Sequence, residues 1–310
     1  MNIIITGGNG YLGRAIIQDM LVEDKILVVD NKRENIYRWF RDRLNNVHYS
    51  LYDTQISNFA YIRDERLQET DIVIHLAAIV DATKSKEQED EIKEVNYTDT
   101  IEFFRRCAKN KVRVIIPSST SVYGTSDHEI VFEDDPSVIN PQSTYAEYKY
   151  KMEQAITEID DLDYVMFRFG TVCGVSRGIR FQTAVNKFCK NAFYNEPLTV
   201  WKGHRDIVRP YLALYDLRKT IKYTIRNWEQ LSRQTFNILS ANLSVNDILD
   251  IIKNHIRYIK VNEVNSPILN HFSYKVSNQK WTAKTGIRSC GKAAVEREID
   301  EIFTMFKGEW

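Results

Sequence analysis

The sequence has no net charge, with 42 Lys and Arg against 42 Asp and Glu, so it carries no electrostatic footprint for nucleic acid or an anionic membrane. No apolar run approaches the ~18 residues of a membrane span. From Met1 the chain runs straight into an apolar strand, without a basic n-region, a long h-region or a small-residue cleavage site, so no secretory leader is expected. Cys107, Cys173, Cys189 and Cys290 lie far apart, with no CxxC and no His at metal spacing. That argues against zinc and against a disulfide framework, and for a reduced cytoplasm. Repeats, low-complexity tracts and linkers are missing as well. What remains is 310 residues of globular chain, enough to bury a sizeable core.

In the first half, short β-branched runs alternate with amphipathic stretches, the pattern of a parallel sheet covered by helices. Strands are expected at 3–6, 26–30, 47–51, 72–76, 113–118 and 164–169, and helices at 11–21, 35–44, 89–108 and 143–159. Six such strands make an α/β fold of the Rossmann type, a doubly wound parallel sheet, expected over 1–170. After Gly170 come a loop rich in Gly and Arg (174–180), a helix (181–193), a strand (198–201) and a further segment at 208–214. A late helix opens at Ser244, with Asp247 in the capping-box position. This smaller C-terminal α/β region, 171–310, is expected to pack directly on the first and to return some segments to its sheet.

Thr6-Gly-Gly-Asn-Gly-Tyr-Leu-Gly13 stands between the first strand and the first helix, the context in which a glycine fingerprint acquires meaning. Gly7 permits the tight turn, Gly10 lets the backbone approach a pyrophosphate, and Gly13 lets helix and sheet close up. The phosphates would meet the free N–H groups of the helix N-terminus. Asp30 closes the second strand, where an acid accepts bonds from the adenosine ribose and repels a 2′-phosphate, which favours NAD over NADP. Lys32 and Arg33 follow at once and have the chemistry to cradle that phosphate.

Far downstream, Tyr145 and Lys149 are four residues apart on one helix and share a face. A tyrosine is a poor base at neutral pH until a cation stabilises its phenolate, and Lys149 is placed to do so while bonding the nicotinamide ribose. Ser118-Ser-Thr-Ser-Val-Tyr-Gly124, at the end of the fifth strand, offers a hydroxyl for the substrate oxygen. Two other combinations carry little. Ser126, Asp127 and His128 are adjacent and cannot stack as a triad, and Cys173 reads as a small buried apolar residue.

With TGxxGxxG, His75-Leu-Ala-Ala78, SSxSVYG and YxxxK all in order, the chain resembles the extended short-chain dehydrogenase/reductase family that acts on nucleotide sugars, over essentially its whole length. By this resemblance Ser119 is the catalytic hydroxyl, Tyr145 the base and Lys149 its partner. Tyr11, Leu12, Asp30, Asn31, Leu76, Ala77, Ala78 and Asn96 would line the cofactor, Asp53 would contact adenine, and Phe169 would flank the nicotinamide. Thr120, Ser121 and Thr171 would face the sugar. Thr199, Trp201, Arg209 and Tyr211 resemble the nucleotide-holding strands, with Arg209 on the diphosphate and Arg180 and Asn186 as further candidates for that anion. Trp201 and Tyr211 read equally well as core aromatics. The family's four-helix interface implies a homodimer through 89–108 and 143–159, to which Ile101, Phe103 and Phe104 offer apolar surface; their other reading is burial against the sheet.

Departures narrow the chemistry. The family's 4,6-dehydratases place an acid after the catalytic hydroxyl, where this chain has Thr120 and Ser121, so dehydration lacks its general acid/base. Thr171 replaces an Asn common in epimerases, and the segment around it looks like a subgroup that oxidises a GDP-linked heptose at carbon 4. The Arg and Asp that hold the nucleotide in galactose epimerases have no clear match around 267–271, which puts UDP in doubt. The expected function is hydride transfer at carbon 4 of a nucleoside-diphosphate sugar, as an epimerase or as a net dehydrogenase or 4-keto reductase. A non-catalytic NAD-sensing protein is the alternative of another class, and it would typically lose the Ser, Tyr and Lys retained here.

Overall fold

The computed structural model describes residues 1–20, 24–31, 47–51, 58–80, 88–124, 128–265 and 274–308. The helix expected at 35–44, Lys32, Arg33, Asp53, Ser126, Asp127 and the segment 267–271 lie outside them. The strands are β1 (Asn2–Thr6), β2 (Lys25–Asp30), β3 (Val47–Leu51), β4 (Ile72–His75), β5 (Arg113–Ser119), β6 (Ile130–Val131), β7 (Tyr164–Phe169), β8 (Thr171–Cys173), β9 (Leu198–Trp201), β10 (Val208–Ala213), β11 (Gln234–Ile238), β12 (Ala241–Ser244), β13 (Val261–Val264) and β14 (Lys275–Val276). The helices are α1 (Tyr11–Ile17), α2 (Asp64–Gln68), α3 (Glu89–Lys93), α4 (Asp99–Lys109), α5 (Thr144–Thr157), α6 (Ala184–Phe193), α7 (Leu214–Arg226), α8 (Val245–Lys253), α9 (Gln279–Thr285) and α10 (Lys292–Phe306).

Seven strands form one parallel sheet in the order β11-β7-β5-β4-β1-β2-β3. The six expected strands are all there. The seventh, β11, comes from the later half and pairs with β7 from Gln234 opposite Val165 to Ile238 opposite Phe169. Its polar and apolar residues make too short a pattern to stand out, and only its seat on the sheet edge buries Phe236 and Ile238.

Alternation along the strands feeds two cores. Ile3 and Ile5 of β1 join Val165 and Phe167 of β7 against Ile16, Ile17, Leu217, Ile221 and Trp281 of α1, α7 and α9. Ile4 points the other way, with Val73, Val114 and Met166, onto α4 and α5. This is the period-2 pattern of a sheet covered on both faces. The helix expected at 89–108 is α3 and α4, joined by one π turn at Glu94–Thr98. Ile101, Phe103 and Phe104 are buried in the sheet-facing core, so they offer no surface to a second copy and the apolar argument for a dimer is corrected.

The later residues add a third core among α6, α8, α10 and the β8-β10-β12 sheet. Ser244 and Asp247 form the reciprocal capping box of α8 as expected. Among the described residues no helix is long and apolar enough to cross a membrane.

Candidate active site

Strand order reverses between β1 and β4, and the loops after these two strands meet there, where open α/β sheets bind their ligands. Gly7 turns at φ +64°, and a Cβ on it would come within 2.7 Å of the Ala77 nitrogen. Gly13 is closer still: its Cβ would stand 2.4 Å from the Gly8 Cα, so α1 rests on the loop backbone itself. At Gly10 an added Cβ would meet only the Gly7 oxygen, at 3.1 Å. No side chain caps the first turn of α1, and Asn9 Nδ2 is buried without a hydrogen-bond partner among the described residues. An open glycine face, uncapped N–H groups and an orphaned amide donor fit a phosphate.

Asp30 is buried at the end of β2 and accepts the Asn9 N–H at 3.0 Å, which ties the carboxylate to the glycine loop. His75, pushed down to about 3 by burial and then by Lys149, is a neutral strut: its nitrogens meet the Thr6 hydroxyl at 2.9 Å and the Thr100 hydroxyl at 3.1 Å. Thr6 Oγ1 in turn accepts the Ala77 N–H. In the π turn, Asn96 spends both ends of its amide on the Ile79 backbone at 2.8 Å, so it shapes the half-buried 76–79 loop from behind.

Ser119 ends β5, and its hydroxyl accepts the Ser121 N–H at 3.1 Å and is close enough to the Tyr145 phenol to influence its ionisation. Tyr145 sits in the first turn of α5, which Ser143 caps by accepting the Ala146 N–H. Tyr145 is half-buried as a residue, yet desolvation of its phenol pushes it up to about 12, while the Arg180 guanidinium and the Ser119 hydroxyl pull it the other way. Lys149 is brought down to about 8 by burial, opposed by Glu153, and its ammonium donates to the Pro117 carbonyl at 2.9 Å. Consecutive β5 residues thus bond to successive turns of α5, the Pro117 carbonyl to Lys149 and the Ser118 hydroxyl to Glu153, with Ser119 following them towards Tyr145.

The remaining expected residues divide. Thr120 donates its hydroxyl to the carbonyl of buried Phe169, whereas Ser121 Oγ is buried without a partner among the described residues. Arg209 lies over the Tyr274 ring at 5.2 Å, and Tyr274 donates to the Thr120 carbonyl, so this cation borders the same turn. Thr171 is half-buried in β8 opposite Tyr211, and Tyr211 belongs to the third core. Asn186 is fully buried: it accepts the Gly174 N–H and donates to the Tyr11 hydroxyl and the Arg180 carbonyl, which leaves it no reach to a diphosphate. Thr199 is exposed in β9, and Trp201 makes its ring contact with His204.

Sequence reasoning missed the ionic support behind Lys149. Glu153 could have been found, since it lies four residues past Lys149 on the same helix face; Arg168 and Tyr123, which close the network, reach it only through the sheet. It also missed the clasp in which Ser176 donates to the Tyr11 carbonyl and Tyr11 to the Gly174 carbonyl, holding the 174–180 loop on α1. Among the described residues no cluster of His, Cys, Asp or Glu could hold a metal.

Residues 3–238 match the model of the NAD dependent epimerase/dehydratase family. The chain is 28% identical over 178 residues to D-erythronate dehydrogenase of Haemophilus influenzae, a match spanning 56% of this chain and 55%, about half, of that protein. It is 26% identical over 269 residues to a putative UDP-glucose 4-epimerase of Methanocaldococcus jannaschii, covering 83% of each. UDP-N-acetylglucosamine 4-epimerase of Methanobrevibacter ruminantium, solved with UDP-N-acetylmuramic acid, shares the fold at a TM-score of 0.82 and 19% identity, over 100% of this chain and 99% of that one. With the family model spanning both the glycine loop and the Ser119, Tyr145 and Lys149 cluster, the chain belongs to the NAD dependent epimerase/dehydratase family.

Proposed function

We propose that the chain is an NAD-dependent nucleotide-sugar epimerase or oxidoreductase that works at carbon 4 of the sugar. The observation that carries this reading is the meeting of Ser119, Tyr145 and Lys149 where β5 ends against α5, at the C-terminal ends of the parallel strands, where the glycine loop also opens. Gly7, Gly10, Tyr11, Leu12, Gly13, Asp30 and Asn31 would hold the dinucleotide, and Lys149 its nicotinamide ribose. Bound NAD supplies the hydride acceptor. Tyr145 takes the hydroxyl proton as the carbon–hydrogen bond breaks, and Ser119 holds the same oxygen by a hydrogen bond that strengthens as charge develops on it. Arg209, at the Tyr274 ring, is suited to the diphosphate.

Both hydroxyls after Ser119 are non-ionisable, and Thr120 is already spent on Phe169, which supports epimerisation or oxidation over dehydration. Epimerisation and net oxidation use the same residues. They separate in a turnover experiment with UDP-, GDP-, CDP- and dTDP-sugars: an epimerase interconverts two sugars without net reduction of cofactor, and a dehydrogenase accumulates NADH and a ketone. The reading itself is tested by Tyr145→Phe, which should bind cofactor and sugar yet lose about 10²–10⁴ in single-turnover NAD reduction. Near-normal reduction by the folded variant would assign the base elsewhere. The family resemblance also supports a homodimer through 89–108 (α3 and α4) and 143–159 (α5), checked by sedimentation at micromolar concentration.

A further inference from the structure

Tyr274 touches two parts of the site that different elements carry. Its ring is 6% exposed and has the Arg209 guanidinium over its face, 5.2 Å from the centroid. Its hydroxyl donates to the Thr120 carbonyl at 3.2 Å, on the residue that follows Ser119. Tyr123 packs against the same ring in a T-shaped contact at 6.4 Å, within a small core that includes Val122, Val131 and Leu239. The ring is therefore held between a cation and a packed wall.

Backbone pairing fixes this meeting. Arg209 precedes Pro210 in β10, and Pro210 lies opposite Asn242 of β12. Asn242 spends both ends of its amide on the Val276 backbone, accepting its N–H at 2.9 Å and donating to its carbonyl at 3.0 Å. Tyr274 stands two residues before Val276, so this clasp delivers the ring to the guanidinium. On its other side β14 pairs with β6, Lys275 opposite Ile130. Arg209 donates to the Val208 carbonyl at 3.2 Å, and burial works against its charge. The electron-rich face of a ring offsets part of that cost without consuming a guanidinium N–H.

We propose that Tyr274 is a positioning residue for the substrate's diphosphate: its ring holds the Arg209 guanidinium in the pose that binds the anion, and its hydroxyl ties that cation to the turn presenting Ser119. The proposal rests on the reading of Arg209 as the diphosphate cation. An arginine side chain has many rotamers, and ordering it during binding subtracts from affinity unless it is ordered beforehand. The Tyr274 ring orders it beforehand. The sugar joins diphosphate and reacting carbon at a set length, and Tyr274 is the one side chain that touches both Arg209 and the carbonyl next to Ser119.

The test is calorimetry on the NAD-loaded protein with UDP, GDP, CDP and dTDP, continued with whichever of the four binds tightest. Arg209→Met should weaken that binding about thirtyfold, as a charge-assisted contact is lost. Tyr274→Leu should weaken it about tenfold, and the double variant little more than Arg209→Met alone, because the ring acts through the cation. Tyr274→Phe keeps the ring and should bind within about twofold of the unaltered protein. Circular dichroism checks the fold, and Tyr274→Met, whose flexible chain fills the ring's space, takes the place of Tyr274→Leu should that variant not fold. Losses that multiply in the double variant, unchanged affinity after removal of the ring, or a Phe variant as weak as the Leu variant overturn the proposal. Full affinity in Arg209→Met, or no binding of any of the four by the unaltered protein, would instead overturn the reading of Arg209.

Discussion

Glu153 and Arg168 form an ion pair of 2.6 Å with only 4% and 8% of their side chains exposed, one helical turn beyond Lys149. Arg168 also donates to the Tyr123 hydroxyl and the Glu133 carbonyl, and Glu153 accepts from Ser118. Every oxygen of the pair is satisfied, which is the condition under which a buried pair is tolerated at all. The pair lies under both the lysine of α5 and the serine end of β5, and so braces the two elements that present Tyr145 and Ser119.

Breaking this pair from one side should be costly. Arg168→Met leaves the Glu153 carboxylate buried and uncompensated, a loss of about 3–5 kcal/mol in the free energy of unfolding. Urea denaturation of the Arg168→Met protein and of the double variant with Glu153→Leu makes the comparison. The double variant should recover most of the loss, and equal losses would mean that packing, not charge, dominates.

Asp30 should decide between cofactors. Its carboxylate is held at the end of β2 by the Asn9 N–H, and an acid at that position repels a 2′-phosphate. Calorimetry should show the unaltered protein binding NAD in preference to NADP, and Asp30→Ala narrowing that preference by about tenfold or more, since it removes a charge repulsion worth ~1.4 kcal/mol at that ratio. Tighter NADP binding by the unaltered protein would remove the argument.

The two glycines at the start of α1 should fail differently. Gly13→Ala drives a Cβ onto Gly8 backbone at 2.4 Å, where nothing flexible can give way, and should cost about 3 kcal/mol of stability. Gly10→Ala meets only one oxygen, at 3.1 Å, so the melting temperature should barely change while NAD affinity falls, because the new methyl occupies the phosphate's approach. Parallel losses of stability in both variants would contradict this division.

Glu298 should make stability depend on pH. It is buried against Gly174, its Oε1 accepts the Tyr215 N–H at 2.8 Å, and burial raises its carboxyl to about 7. Its folded value is above the unfolded one near ~4.3, so the folded state holds the proton more tightly. The stabilisation is complete below pH ~4 and is lost as pH rises through about 7, roughly 3 kcal/mol in all. Glu298→Gln should flatten that slope: its urea midpoint should exceed that of the unaltered protein at pH 8 and fall near it at pH 5. Parallel pH curves for the two proteins would rule out Glu298 as the source.

The strands β1 to β5 and β7, the glycine turn and the facing of Tyr145 and Lys149 were legible because each depends on local pattern. Strand alternation, the left-handed turn that Gly7 makes and the four-residue helix repeat are properties of neighbours in the chain, and so is the Ser244 and Asp247 cap. Partners distant in sequence were not legible. That Lys149 turns to the Pro117 carbonyl, that the loop after β8 is clasped to Tyr11, that Asn186 is a strut, that β11 completes the sheet, and that Ile101, Phe103 and Phe104 are spent on the core are consequences of packing. Burial then decides the chemistry, because desolvation moves Tyr145 up and Lys149 down, and the dielectric around a side chain is set by what folds over it.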